Sequence, residues 1–409
     1  MKRIKRLSAL AALSMAVASL VAIPSAKAST VTITVMTPNY TDAMPAFYKD
    51  LNDRFMAANP TIKVVQTNLS WDDILVKGRT LVSTNSTPDI LNLNTFSDYA
   101  AAGLLYRADE MFSATTLSDF VTAFRDNSKY NGVEYAVPDL ASARMFFVNK
   151  ALLYGAGVSA VPTTWAEVTA AAKKIKAKYP KVYPIAIPLG QEEAQAEFQI
   201  WTGGNNGRYF DGSKWVINSA ANIETMNYLK SLVKAKLTQP NPATTNRTDA
   251  FKLFAQGKVA MINASVFFPS TLKDYNSKVD YGVAPFPASP KGKSITLGVQ
   301  DYFMAFKKTG NKDAVSKWLN FLYQPANYAA FLKAAGGFIP ATKSASTAVD
   351  SSLLPFINAL PNAIFYPGDL AAWPKVAGAI QTQIGTAINK DAKTVLDAIQ
   401  KTAEEAGTK

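Results

Sequence analysis

The chain contains no cysteine and no histidine. Without cysteine, no disulfide can staple the fold and no lipid-modified cysteine can tether it to a membrane. Without histidine there is no imidazole base, no Ser-His-Asp or Cys-His triad, and no zinc site built from nitrogen or sulfur ligands. Long apolar runs are equally scarce, since no segment after Ile23 stays apolar long enough to cross a bilayer. Basic residues outnumber acidic ones, 43 to 30, but they are scattered through helical segments such as "AAAKKIKAKYPK" (170–181) without aromatic interleaving. That pattern argues against a nucleic-acid partner.

The N-terminus carries the first positive signal. Lys2, Arg3, Lys5 and Arg6 precede an apolar run from Leu7 to Ile23, and Ala26 and Ala28 close it with small residues. A basic n-region, an apolar h-region and an A-x-A site predict a secretory signal peptide over residues 1–28, cleaved after Ala28, and export of a soluble chain to a bacterial periplasm. Residues 1–28 hold five of the basic residues and no acid, so the formal charge of +13 falls to about +8 in the mature chain. A length of 409 residues leaves room for two domain-sized cores.

Elements alternate along the mature chain. "TVTITV" (30–35) reads as a strand, and Met44, Phe47, Leu51 and Phe55 follow at helical spacing until "ANP" (58–60) stops them. "TIKVVQT" (61–67) is the next strand, and Ser70 is placed to cap the helix of "SWDDILVKGRTLVST". The stretch "STPDILNLNTF" (86–96) gives a third strand at Ile90, Leu91 and Leu93, ending in polar groups. A second such group starts near Ala141, with "RMFFVNK" (144–150), a helix capped by Thr164, "YPIAIP" (183–188), three more helices and "VAMIN" (259–263). Strand–helix–strand alternation predicts right-handed crossovers, a mostly parallel sheet and an α/β fold in two lobes.

Motifs for catalysis or metal binding fail on inspection. "GKS" (292–294) would need a glycine where Pro287 stands to complete a phosphate loop. No EF-hand spacing occurs, so neither metal nor cofactor is expected. The adjacent acids Asp72/Asp73 and Glu192/Glu193 read as dipole-compensating surface residues at helix starts rather than as a glycosidase pair. Polar and aromatic residues do collect at element ends: Asn39 and Tyr40 after the first strand, Trp71 and Asp72 opening the second helix, Asn94 and Thr95 closing the third strand. In a parallel α/β sheet ligands bind beyond the carboxyl ends of the strands, where aromatic faces and amides suit a sugar.

In order along the chain, "TPDI" (87–90), "YAAAGLL" (99–105), "YAVPDLASARMFFVNKALL" (135–153), "VPTTWAEV" (161–168), "AFKLFAQGKVAMIN" (250–263), "YGVAPFP" (281–287), "KWLNFL" (317–322) and "GGFIPAT" (336–342) resemble the extracellular solute-binding proteins of ABC importers, the group that includes maltose-binding protein. The resemblance implies two α/β lobes joined by crossing strands and closing on a hinge over a carbohydrate ligand. It implies a monomer that delivers its ligand to a membrane permease without catalysis. One lobe would comprise 29–140 plus 300–342, the other 141–299 plus 343–409. It further implies ligand contact by Ser142 and Arg144 at the first crossing, by Gln195, Glu197 and Trp201 after Pro188, and by Phe267 in place of the unsuited Val266. Gln300 and Asp301 at the second crossing, Gly336 and Gly337 through their backbone N–H groups, and Trp373 complete the set. Two alternatives stay open: a phosphorylated polyol such as glycerol-3-phosphate as ligand, suggested by Arg144, the basic charge and the Gly-Gly-Phe loop at 336–338, and a secreted carbohydrate-active enzyme.

Overall fold

Alternating β-branched residues make β1 (Val31–Pro38), and its inward-facing Ile33 and Val35 are fully buried. The computed structural model describes residues 30–84, 86–346 and 350–408, so the signal segment and its cleavage site lie outside the described residues. Helix α1 (Met44–Ala58) buries Met44, Tyr48, Leu51 and Phe55, the stripe expected from their spacing. Strand β2 (Ile62–Leu69) pairs in parallel with β1. Helix α2 (Trp71–Ser83) starts where Ser70 accepts the backbone N–H of Asp73 at 3.1 Å. Strand β3 (Ile90–Leu93), buried along its whole length, then pairs in parallel with β1 on its other side.

The first crossing is longer than the apolar run suggests. Strand β4 (Ala136–Asn149) is buried at every position and spans both halves of the molecule. Beyond it come β5 (Tyr183–Ile185), α3 (Ala194–Gly203), α4 (Arg247–Ala255), β6 (Val259–Ser265) and α5 (Phe268–Asp274). Strand β7 (Thr296–Ala305) crosses back, followed by α6 (Pro325–Ala334) and α7 (Trp373–Gln383). The main path of the sheet runs β2-β1-β3-β7-β4-β6-β5, so one continuous sheet links the lobes through the β4–β7 pair. The crossover pairs β1/β2, β1/β3 and β5/β6 are parallel. The crossing strands instead run antiparallel to each other, with β7 also antiparallel to β3 and β4 to β6, because they carry the chain between lobes in opposite directions.

Among the described residues the apolar filling forms three clusters. One continues from the first half across the crossing strands to Phe254, Ile262 and Phe268 of the second, while Ile74, Leu91 and Phe96 belong to a smaller one. Tyr48, Phe55, Trp318 and Phe331 belong to that shared cluster, and Trp165, Ile187, Trp201 and Ile380 to the core of the second half. Asp89 belongs to this framework. Its carboxylate accepts the Thr34 backbone N–H at 2.8 Å, the Thr34 hydroxyl at 2.6 Å and the Asn311 amide at 2.8 Å, pinning the start of β3 to β1. "PDILN" is thus a strand locked at its Asp end, with its amide end free to serve the centre of the molecule.

Candidate functional site

Side chains on a strand alternate between faces. On β4 the residues Leu140, Ser142 and Arg144 share one face, and the register sets Val299 opposite Ser142 and Asp301 opposite Leu140. These five residues floor a cavity of about 570 Å³ between the halves. One wall brings Asn39, Tyr40, Trp71 and Asn94 from the ends of β1, α2 and β3; the other brings Glu192, Glu193, Arg247 and Phe267. The neighbours Gly298, Gln300 and Tyr302 point to the opposite face and line a different cavity of about 210 Å³.

A bulge shapes the floor. The ladder pairs Asp301 with Leu140 but Tyr302 with Pro138, so Asp139 is the extra residue and its side chain is re-aimed. Asp139 accepts the Asn92 amide at 2.8 Å and its neighbour's N–H, from Leu140, at 2.8 Å. The Tyr40 hydroxyl lies 3.0 Å from Asn92 Oδ1, 3.1 Å from Asp139 Oδ2 and 2.9 Å from Asp301 Oδ2. A phenol has one proton to donate, so three acceptors around it call for a further proton on one of the two carboxyls. Burial, then the charge of Asp301, pushes Asp139 well above the usual carboxylate range. Burial pushes Asp301 up to about 7 against the bond from Tyr40.

The second wall is an ion chain. Arg144 pairs with Glu193 at 2.6 Å, while Arg247 pairs with Glu193 at 2.8 Å and with Glu192 at 2.6 Å. Glu192 also accepts the Thr248 N–H at 2.8 Å and hydroxyl at 2.6 Å. Burial works against its ionisation, but the Arg247 charge and the Thr248 bonds hold it below the usual range. The guanidinium of Arg247 lies over the rings of Phe251 and Phe267, at 5.5 and 5.2 Å. Expecting Glu192 and Glu193 on the surface was wrong: Glu192 is 8% exposed, and both close a buried network.

Aromatic rings converge on the cavity from both halves. Tyr40 meets Trp71 edge-on at 5.7 Å and Phe338 at 5.3 Å, and Phe338 packs on Phe267 across the cleft at 5.2 Å. The Ser97 hydroxyl donates to the Leu370 carbonyl at 2.8 Å, a second contact between the halves. Several polar atoms are buried without a partner here, among them Asn39 Oδ1, Ser142 Oγ and Arg144 Nε.

Of the residues anticipated from sequence, Asn39, Tyr40, Trp71, Asn94, Ser142, Arg144, Phe267 and Asp301 line this cavity. Thr95, Gln195 and Trp373 line a narrower space of about 40 Å³ that shares Leu75 and Asn94 with it. Trp373 is almost wholly buried and stacks on Tyr366 at 4.9 Å, so Tyr366 covers its ring. Gln300 lies behind the floor, its amide donating to the Phe124 carbonyl at 2.7 Å. The side chain of Asp72 lies outside the described residues.

Glu197 and Trp201 sit apart from the cleft. The Trp201 indole donates to Glu197 at 2.8 Å, Asn263 donates to the same carboxyl at 2.8 Å, and Trp201 packs on Phe286 at 4.8 Å inside the second core. Burial pushes Glu197 up to about 7, opposed by those two bonds. Gly336 and Gly337 also differ from expectation, because their N–H groups donate to the carbonyls of Lys333 and Leu332 as the C-terminal cap of α6. Gly336 has φ +100, and a Cβ there would stand 3.2 Å from Thr41 Cγ2. Gly336→Ala is therefore expected to cost about 1–2 kcal/mol in urea unfolding; a variant as stable as the parent would mean the cap relaxes freely.

Sequence reasoning missed Arg247, Thr248, Tyr275 and Phe338 as lining residues. Only the pairing of "QEE" (191–193) with two distant arginines could have signalled the ion chain. Comparison with known proteins agrees with this architecture. The sequence pattern of the bacterial extracellular solute-binding proteins matches residues 37–329. A binding protein of Brucella abortus strain 2308 is 29% identical over 394 residues, covering 92% of this chain and 95% of its own. The maltotriose-binding protein of Pyrococcus abyssi is 24% identical over 369 residues, 87% of this chain and 78% of its own. Among solved structures, a sugar transporter protein of Arthrobacter chlorophenolicus with bound laminaribiose superposes with a TM-score of 0.83 at 19% identity, covering 92% of this chain and 100% of its own. A maltose-bound T. maritima protein does so with 0.79 at 21%, over 92% and 100%. The continuous sheet through two crossing strands, the cavity between the halves and the match over most of the chain make this protein a member of the bacterial extracellular solute-binding family.

Proposed function

We propose that the protein captures a carbohydrate in the cleft between its lobes and hands it to an ABC permease in the inner membrane, acting as an exported periplasmic monomer. The observation that carries this reading is the makeup of the cavity, where Trp71, Tyr40, Phe267 and Phe338 supply flat apolar faces among unpartnered polar atoms. Sugar rings present C–H groups to such faces and hydroxyls to such atoms. Relatives named for maltotriose and arabinooligosaccharide binding support the same class. The lobes are taken as 29–140 plus 300–342 and 141–299 plus 343–409, with the crossing strands as hinge.

A phosphorylated polyol is disfavoured, because Arg144 and Arg247 are already neutralised by Glu192 and Glu193. Catalysis is disfavoured as well. Of the carboxyls lining the cavity, Glu192 and Glu193 are held in the ion chain, Asp249 pairs with Lys252, and Asp42 and Asp274 stand exposed. That leaves Asp301 without a second buried carboxyl to work with, since Asp139 lies wholly buried behind the floor. A thermal-shift screen of mono- and oligosaccharides, polyols and polyol phosphates tests the class, since a ligand of the folded state raises its melting temperature. Trp71→Ala is expected to weaken the best sugar roughly tenfold by calorimetry. Stabilisation by phosphates alone, or an unchanged affinity on losing Trp71, would defeat this reading.

A further inference from the structure

The cavity wall carries six carboxylates, Asp42, Glu192, Glu193, Asp249, Asp274 and Asp301, but only three cations, Arg144, Arg247 and Lys252. All three cations are engaged, Lys252 with Asp249 at 3.5 Å and the arginines in the ion chain. Asp42 and Asp274 stand exposed at the rim from opposite lobes, and neither is in an ion pair among the described residues. Asp301 lies at the floor, 5% exposed, with Tyr40 as its hydrogen-bond donor. The lining is therefore acidic inside a chain whose net charge is strongly positive.

Two further facts say what would balance it. Ser142, also 5% exposed, shares the strand face with Asp301, and its hydroxyl has no partner. The floor is thus built to take polar atoms from outside. Among the described residues no group of three or more carboxylates is gathered closely enough to hold a metal ion. A hard divalent cation wants about six oxygens, whereas an ammonium needs only a few acceptors for its three donors. We propose that the carbohydrate taken by this cleft bears a protonated amine, bound at the floor by Asp301 beside Ser142 and drawn in by Asp42 and Asp274. This rests on the carbohydrate reading above. A cleft lined by one sign of charge concentrates ligands of the other sign and speeds their capture.

The titratable and charged groups facing Asp301 are Tyr40 from the end of β1, Asp139 and Arg144 on β4, its neighbour Tyr302 on β7, Glu193, Arg247 on α4, and Tyr366. With the cleft empty, the Asp139–Asp301 pair retains a proton. An arriving ammonium takes over its role, and that proton leaves to the buffer.

The test uses the purified mature chain at pH 6 and matched sets of sugars: glucosamine and its oligomers, their N-acetylated forms, glucose and cellobiose, and glucuronate. The aminated member of a set is expected to bind at least about tenfold more tightly than its neutral and acetylated counterparts. Its advantage should shrink with added salt and vanish in Asp301→Asn, with the affinity ratio as the readout. Calorimetry in two buffers of different ionisation enthalpy should show proton release for the amine only. A neutral, acetylated or acidic sugar binding as tightly as the amine overturns this proposal alone. So does a ratio that survives Asp301→Asn. If no carbohydrate of any kind binds, the carbohydrate reading falls and this inference falls with it.

Discussion

Arg247→Met is expected to destabilise the protein by about 3–5 kcal/mol, a large share of the stability of an ordinary domain. The side chain is only 13% exposed, and its fork bonds the buried Glu192 at 2.6 Å and Glu193 at 2.8 Å. Methionine fills much of the volume over Phe251 and Phe267 but supplies no charge. Glu193 would keep Arg144, at 2.6 Å, whereas Glu192 would keep only the two Thr248 bonds. A carboxylate stranded in a dry site either ionises at high cost or takes up a proton. In the parent, Arg247 and Thr248 hold Glu192 below its ordinary value, so its contribution is present above the unfolded pKa and is lost as pH falls through the folded one. The variant should lose that acid-side dependence, and most of the deficit should appear at neutral pH. Urea unfolding of the parent, Arg247→Met and the double variant Glu192→Gln/Arg247→Met separates the terms. The double variant should recover part of the loss, because an amide no longer needs a cation. A single-variant loss under about 1 kcal/mol would mean that water replaces the guanidinium and that the chain is effectively a surface feature.

The contrast between this ion chain and the strands shows what one-dimensional reading can reach. Ser70 capping α2 and Thr164 capping its helix are decided within four residues, and both bonds are present, at 3.1 and 3.2 Å. The three strands of the first half announce themselves by composition for the same reason. Arg144, Glu192, Glu193 and Arg247 lie far apart in sequence and meet only after β4 and the loop before α3 are packed, while the local signal of two adjacent acids points outward. Glu197 and Trp201 fail in the opposite direction. Their i,i+4 spacing places them on one face of α3, but whether that face meets ligand or core depends on how the helix is rotated, and Phe286 and Asn263 claim it. The bulge at Asp139 is likewise a matter of register between strands more than a hundred residues apart, and nothing in "VPDLAS" marks it. Hence Asp301 was legible as a crossing-strand residue, but its acidic partner was not.

That hidden partnership sets a pH dependence opposite in sign to the one at Glu192. Both Asp139 and Asp301 are held above the carboxylate range by burial, so the folded state keeps a proton that the unfolded chain has released. Stability then declines as pH rises from about 4, the unfolded value, and levels off once the folded groups have also ionised, near 7 for Asp301. Asp301→Asn removes one of the two charges while keeping an oxygen to accept the Tyr40 hydroxyl and adding an N–H beside Asp139. The variant should therefore match the parent near pH 4 and exceed it at pH 8, by on the order of 2–4 kcal/mol. Glu197, raised by its own burial, tilts the curve the same way and persists in the variant, so the variant's slope should be reduced rather than abolished. Denaturant unfolding of both proteins between pH 4 and pH 8 reads this directly. Parallel curves would show that the pair does not titrate in that window. Curves that converge in acid and separate in base would show that the floor of this cleft is held in a state costly for the empty protein at high pH, and that a proton shared between Asp139 and Asp301 relieves it.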